Sequence, residues 1–147
     1  MKSAVTALVA ALLLVVAGCA SSRQSSGPPV SVEIQQIGGG QNIFYYRGPI
    51  SVQYRVSITN PTNQPLTLTR LDLQTIGPGA YSLRANGTPV NLRIPPNTTT
   101  SYTVSAWGYA RGGYLASTTP VSLRGTAYFQ GPSGSFLKMF NENINQM

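Results

Sequence analysis

The stretch ISVQYRVSI, Ile50 to Ile58, alternates without a fault. Ile50, Val52, Tyr54, Val56 and Ile58 fall on one face, and Ser51, Gln53, Arg55 and Ser57 fall on the other. A period of two sustained over this length is the pattern of a half-buried strand, and it does not suit an amphipathic helix. Val30, Val32 and Ile34 repeat it with Ser31, Glu33 and Gln35 outward. Val121, Leu123, Ala127 and Phe129 repeat it again, with Gly125 marking a bulge or a close approach. Leu66 and Leu68 keep one phase and Leu71 and Leu73 the other, so continuous pairing would turn half of them to water. A bulge or bend near Thr69-Arg70 resolves the conflict. No long helical period follows residue 20, and 15 Gly and 11 Pro punctuate the chain. Such usage favours strands joined by turns.

Turn chemistry adds a register. In YSLRANGTPVNLRI, Tyr81 to Ile94, Asn86-Gly87 is the preferred pair for a two-residue type I′ turn. A hairpin closed there sets Ala85 opposite Thr88, Leu83 opposite Val90 and Tyr81 opposite Leu92, with Arg84, Asn91 and Arg93 on the other face. Pro89 has no N–H to offer a neighbour, which marks its strand as an edge. The candidate strands are 30–37, 50–59, 66–75, 80–85, 88–94, 100–107, 119–129 and 135–140. Short strands without intervening helices predict an all-β fold, an immunoglobulin-like antiparallel β-sandwich of about seven to eight strands, with a closed barrel as the alternative. With a single cysteine there is no inter-sheet disulfide, so that likeness is architectural only.

The first 29 residues differ from the rest. Lys2 precedes an apolar run, Ala4 to Ala17, interrupted only by Thr6. As a helix the run spans about 21 Å, short of the roughly 30 Å hydrocarbon core, so it suits an export signal better than a permanent span. Val16-Ala17-Gly18-Cys19 resembles the lipobox of bacterial lipoproteins. The resemblance implies cleavage between Gly18 and Cys19, a diacylglycerol on the Cys19 sulfur, and attachment to a membrane through that lipid. Acyl chains contribute about 0.8 kcal/mol per buried CH₂, and two or more hold a protein stably on a bilayer. The expected organisation is therefore a signal peptide over 1–18, a lipidated Cys19 with a Ser- and Pro-rich tether over 19–29, and a β-sandwich over 30–147. Ten tether residues reach at most roughly 35 Å. By resemblance to proteobacterial lipoproteins, Ala20 after the cysteine favours the outer membrane if the source is Gram-negative.

A second resemblance begins at VQYRVSITNPTNQPLTLTRLDLQ. It looks like the late embryogenesis abundant type-2, or water-stress and hypersensitive-response (WHy), domain, in which a hydrophobic strand runs into Asn-Pro and a further Pro-hydrophobic step leads to the next strand. Asn60-Pro61 and Pro65-Leu66 match, Ile94-Pro95 followed by Thr98 to Val104 resembles its proline-led strand, and Val121 to Gly125 resembles its penultimate strand. The segment from Gly108 to Thr119 is short where that family often carries a helix. The resemblance implies a non-catalytic sandwich tied to stress protection.

The side-chain inventory argues against catalysis. The chain has no histidine, one thiol that lipidation would consume, and three acids, Glu33, Asp72 and Glu142. General acid–base chemistry usually uses a histidine or two carboxylates at one site, and zinc needs a cluster of Cys, His or carboxylates. No enzyme activity, no cofactor and no metal are expected. Without Lys2, nine Lys and Arg face those three acids, a net of about +6, which suits anionic envelope polymers. Arg55, Arg84, Arg93 and Arg124, one per strand at outward positions, also keep sheets soluble.

Two aromatic-glycine stretches offer an interaction surface: Phe44 to Gly48, with Tyr45 and Tyr46, and Trp107 to Tyr114, with Tyr109, Arg111 and Tyr114. Trp107 itself is expected in the core, and Gly108 to Thr119 as a loop. Arg111-Gly112-Gly113 is a single copy of an RGG unit, and an exported protein rarely meets RNA, so no nucleic-acid partner is expected. Two function classes fit: an envelope module that binds a protein or polymer, and a protective, chaperone-like domain. A structural subunit of an envelope assembly is a variant of the first.

Overall fold

The computed structural model describes residues 27–39, 45–84, 86–113 and 120–144. Among them eight strands form: β1 (Ser31–Gly38), β2 (Gly48–Asn60), β3 (Leu66–Ile76), β4 (Tyr81–Leu83), β5 (Asn86–Ile94), β6 (Thr98–Ala110), β7 (Val121–Gly131) and β8 (Gly134–Ile144). They make two antiparallel four-stranded sheets, one ordered β1-β2-β6-β4 and the other β5-β3-β7-β8. The all-β sandwich expected from alternation is the observed fold.

Alternation sets which face turns inward. Val52, Tyr54, Val56 and Ile58 of β2 are fully buried, and they meet Leu68, Leu71, Leu123 and Phe129 of the other sheet in one core. In β3 the register shifts between Leu68 and Arg70 against both neighbouring strands. That bulge lets Leu66, Leu68, Leu71 and Leu73 all face the core, as their change of phase requires. Gly125 is a close-approach point: the Phe140 ring occupies the space a Cβ would need. β5 is an edge strand, as Pro89 implies. On the edge strand β8, Lys138 and Glu142 stand opposite the buried Ala127 and Leu123, charges placed where they discourage edge-to-edge pairing.

The hairpin expected at Asn86-Gly87 does not form. β4 pairs with β6 in one sheet, whereas β5 pairs with β3 in the other, Asn86 opposite Leu73 and Gly87 opposite Asp72. Gly87 does not take a positive φ. The glycine serves a different need, because a Cβ there would lie 2.7 Å from Arg70 Nη2 and 2.8 Å from Asp72 Oδ1. Arg70 Nε donates to Asp72 Oδ1 at 2.6 Å, and the guanidinium sits 5.4 Å from the Tyr128 ring centroid. Gly87 thus gives clearance to an ion pair on the neighbouring strand.

Two polar clusters lie within the apolar core. Tyr81 donates to Gln36 Oε1 at 2.8 Å, which leaves its oxygen to accept from Tyr54 at 2.6 Å. Burial pushes the Tyr81 hydroxyl up to about 12, against a lowering by the bond from Tyr54. Burial, then the neighbouring Tyr81, push Tyr54 higher still. The second cluster surrounds Asn60, which is fully buried at the end of β2. Its Nδ2 donates to the carbonyls of Gln64 (2.8 Å), Pro95 (3.1 Å) and Ile94 (3.4 Å). Its Oδ1 accepts from the Thr62 amide (3.1 Å) and hydroxyl (2.7 Å). The Asn97 amide donates to the Thr62 carbonyl at 3.0 Å, with Asn97 itself at φ 52°.

Candidate functional site

The longest pairing among the described residues joins β2 to β6 without a register shift, from Gly48 opposite Ala110 to Asn60 opposite Thr98. It gives the sandwich two distinct ends. Ser31, where the chain enters β1, pairs with Thr59, so Gly27 and Pro28 lie at the Asn60 end. Gly27 is packed on the Phe136 ring there. At about 3.4 Å per residue, Pro49 is roughly 34 Å along β2 from Thr59. The aromatic stretches gather at this far end.

Along β6 the core side takes Val104, Ala106 and Ala110, and the opposite phase takes Ser105, Trp107 and Tyr109. Trp107 is therefore not a core residue: it is 70% exposed, and Tyr109 is 50% exposed. Its phase relative to Val104 and Ala106 carried that information, although ring size argued for the interior. Nor do Gly108 to Ala110 belong to a loop, since β6 runs on from Trp107 to Ala110. Trp107 stands opposite Ser51, and Tyr109 opposite both Pro49 and Ser82.

A short partner strand makes the cleft. β4 follows β6 for three residues and stops at Leu83, opposite Gly108, where a Cβ would lie 2.7 Å from both Leu83 Cδ2 and the Ser82 carbonyl oxygen. Beyond Leu83 the chain leaves this sheet for β5. The edge of β6 next to Trp107 is thereby uncovered, and Arg84 and Asn86 wall the gap. The result is an open cleft of about 630 Å³, lined also by Pro49, Ser82 and Tyr109.

Tyr45 (94% exposed) and Tyr46 (47% exposed) lie at the same end, just before β2. Arg47 Nε donates to the Arg111 carbonyl, and the Arg111 amide donates to the Ala80 carbonyl, each at 3.0 Å. Gly112 and Gly113 follow at φ 64° and 101°, and a side chain at Gly112 would meet the Tyr46 carbonyl at 3.3 Å. The fold thus brings Tyr45, Tyr46, Tyr109 and Arg111 to one end. Tyr114 lies outside the described residues, as do Phe44, Gly18 and Cys19. Pro49, Ser82, Arg84 and Asn86 escaped a reading by motif, since three separate segments supply them.

The electrostatics of this end are one-signed. Arg47, Arg84 and Arg111 are exposed there. Of the three acids, Glu33 stands opposite Ser57, Asp72 pairs with Arg70, and Glu142 stands opposite Leu123; none lines the cleft. Exposed rings, guanidinium groups and an amide suit binding, because they offer apolar faces and forked donors.

No family model and no curated protein matches the chain. Seventeen solved chains resemble it in structure. A protein from Archaeoglobus fulgidus is 10% identical, with 77% of this chain and 91% of that one covered at a TM-score of 0.48. A Northeast Structural Genomics Consortium target is 18% identical over 79% of this chain and 80% of that one, at 0.47. A protein described as a late embryogenesis abundant (LEA) protein is 12% identical over 80% of this chain and 73% of that one, at 0.36.

Proposed function

We propose that the chain is a lipid-anchored, non-catalytic module of the bacterial envelope that holds a partner at the Trp107–Tyr109 end of its sandwich. The observation that carries this reading is the placement of two outward rings beside an open cleft with arginine and no acid, at the end remote from Gly27. Anchoring follows from the lipobox-like Val16 to Cys19. Gly27 is eight residues after Cys19, a reach of at most roughly 28 Å, and the cleft stands about 34 Å beyond the Gly27 end. Such a module presents its cleft away from the bilayer that anchors it.

Two measurements on the full chain in cells test the proposal. Labelling with a radioactive fatty acid is expected for the wild type and lost in Cys19→Ser; label retained in that variant removes the anchor. A photo-crosslinking residue at position 109 is expected to trap a partner, with yield falling severalfold when Trp107→Ala is added. The same residue at Thr103, six residues away on the same face of β6, should trap less. Equal yields at the two positions would remove the cleft from consideration.

The WHy-type resemblance favours a protective role instead. Its most specific matched residue, Asn60, is wholly engaged in tying turns together, which accounts for the motif by architecture. Suppression of client aggregation by the purified full chain, undiminished in Trp107→Ala, would favour the protective role over the binding module.

A further inference from the structure

We infer that the cleft takes a glycan strand bearing carboxylates, the chemistry of peptidoglycan. The assignment rests on the reading of this end as a binding surface. Trp107 and Tyr109 lie two residues apart on one face of one strand, so their side chains are about 7 Å apart along it. Both are outside the core. Pyranose rings carry a C–H face that packs on an aromatic ring and an equator of hydroxyls that needs hydrogen bonds. Arg84 and Asn86, in the cleft wall, present forked planar donors, and Asn86 and Ser82 add acceptors.

The rest of the face separates a glycan from a protein. Beside the rings, β2 and β6 continue as Ser51, Gln53, Arg55, Thr103 and Ser105, a hydrogen-bonding surface flanked on β1 by a single exposed aliphatic side chain, Ile37. Protein interfaces concentrate apolar residues at their centre and polar residues at the rim. This face instead has its two large rings at one end, next to the cleft, and polar side chains along the middle of β2 and β6. Further toward Asn60 the hydroxyls bond one another, Ser57 to Ser101 and Thr59 to Thr99, each at 2.8 Å. The polar stretch available to a ligand therefore adjoins the rings.

Charge and position narrow the ligand. Arg47, Arg84 and Arg111 gather at this end and no acid lines the cleft; Glu33, on the same outer face, lies farther along toward the Asn60 end, opposite Ser57, so the charge beside the rings favours an anionic polymer. The headgroups of the anchoring bilayer are anionic too, but the cleft lies at the opposite end from Gly27. A glycan strand with carboxylates, fixed in the envelope and away from that bilayer, meets the rings, the donors and the charge together.

The test uses the full acylated protein, purified in mild detergent, and sacculi stripped of bound protein. The wild type is expected to co-sediment at low salt and to be released by soluble disaccharide-peptide fragments of the same sacculi. Trp107→Ala is expected to weaken apparent affinity about tenfold, and Arg84→Gln severalfold with a flatter salt dependence. Unchanged denaturation midpoints would show that both variants fold. Fragment competition on the wild type stands without them. Failure to sediment, sedimentation untouched by fragments, or equal binding to phosphatidylglycerol vesicles would overturn the glycan assignment. A protein adduct from the crosslinker at position 109 alongside no sacculus binding would reject the glycan and keep the binding surface. No adduct and no sacculus binding would reject both.

Discussion

At the Asn60 end of the sandwich one buried amide ties the ends of β2 and β5 to the turns beyond them, and every polar atom of that amide is engaged. At the other end, about 34 Å away along β2, the chain leaves two large rings in water and stops a strand after three residues. Both ends are made of turns and strand termini of the same two sheets. The closed end fits a structural purpose, because a polar group taken out of water must be fully bonded. The open end fits no such purpose: exposed rings add nothing to the core, and β4 could have covered the β6 edge by running further. The contrast separates what holds the fold from what the fold holds out.

Three substitutions or conditions would sharpen or break this contrast. Asn60→Asp keeps the shape but replaces the amide donor with an oxygen facing the carbonyls of Gln64 and Pro95. It is expected to cost about 3–5 kcal/mol at neutral pH, as an uncompensated buried charge does. Burial raises the folded-state pKa of such a carboxyl, so the cost should shrink as pH falls and the group becomes neutral. Guanidinium denaturation at pH 7 and pH 4 measures both; a loss below 1 kcal/mol would show that the closed end is not held by its amide.

The second test addresses the core between the ends. Tyr54 and Tyr81 have hydroxyl pKa values raised above the ordinary value of 10.0. The unfolded chain therefore loses these protons first, and the stability they contribute, intact below pH 10, declines as pH rises toward about 12 for Tyr81. The expected decline is about 1.4 kcal/mol per pH unit for each tyrosine. Denaturation midpoints between pH 9 and 12, read beside tyrosinate absorbance, would show it. A flat profile would mean that this hydroxyl chain is open to solvent.

Trp107→Ala should do least to the fold, with a change in unfolding free energy within about 0.5 kcal/mol, as for surface positions generally. A loss of several kcal/mol would place the indole among the residues that hold the sandwich and erase the distinction between its ends.

Much of the architecture was legible because alternation reports burial directly. The two phases of Leu66/Leu68 and Leu71/Leu73 implied a bulge before any partner was known, and Pro89 implied an edge. The pairing of strands was not legible at Asn86-Gly87. Local chemistry there fits a tight turn, but the glycine answers to Arg70 and Asp72 on another strand, a contact between residues distant in sequence. The candidate surface was half legible. Tyr45, Tyr46, Tyr109 and Arg111 stood out by composition, whereas Trp107 needed its phase to be weighed above its size. Ser82, Arg84 and Asn86 gain their meaning from the point where β4 ends and the chain changes sheets, which no periodicity encodes.

The long β2–β6 ladder has a mechanical consequence. If the chain is tethered at Gly27 and gripped at Trp107, any pull between them runs parallel to the strands. The bonds between antiparallel strands lie across that direction, so the β1–β2 and β2–β6 ladders are loaded in shear, many bonds at once, rather than unzipped one by one. The sandwich is then oriented as a strut that bears tension between two attachment points without opening its core.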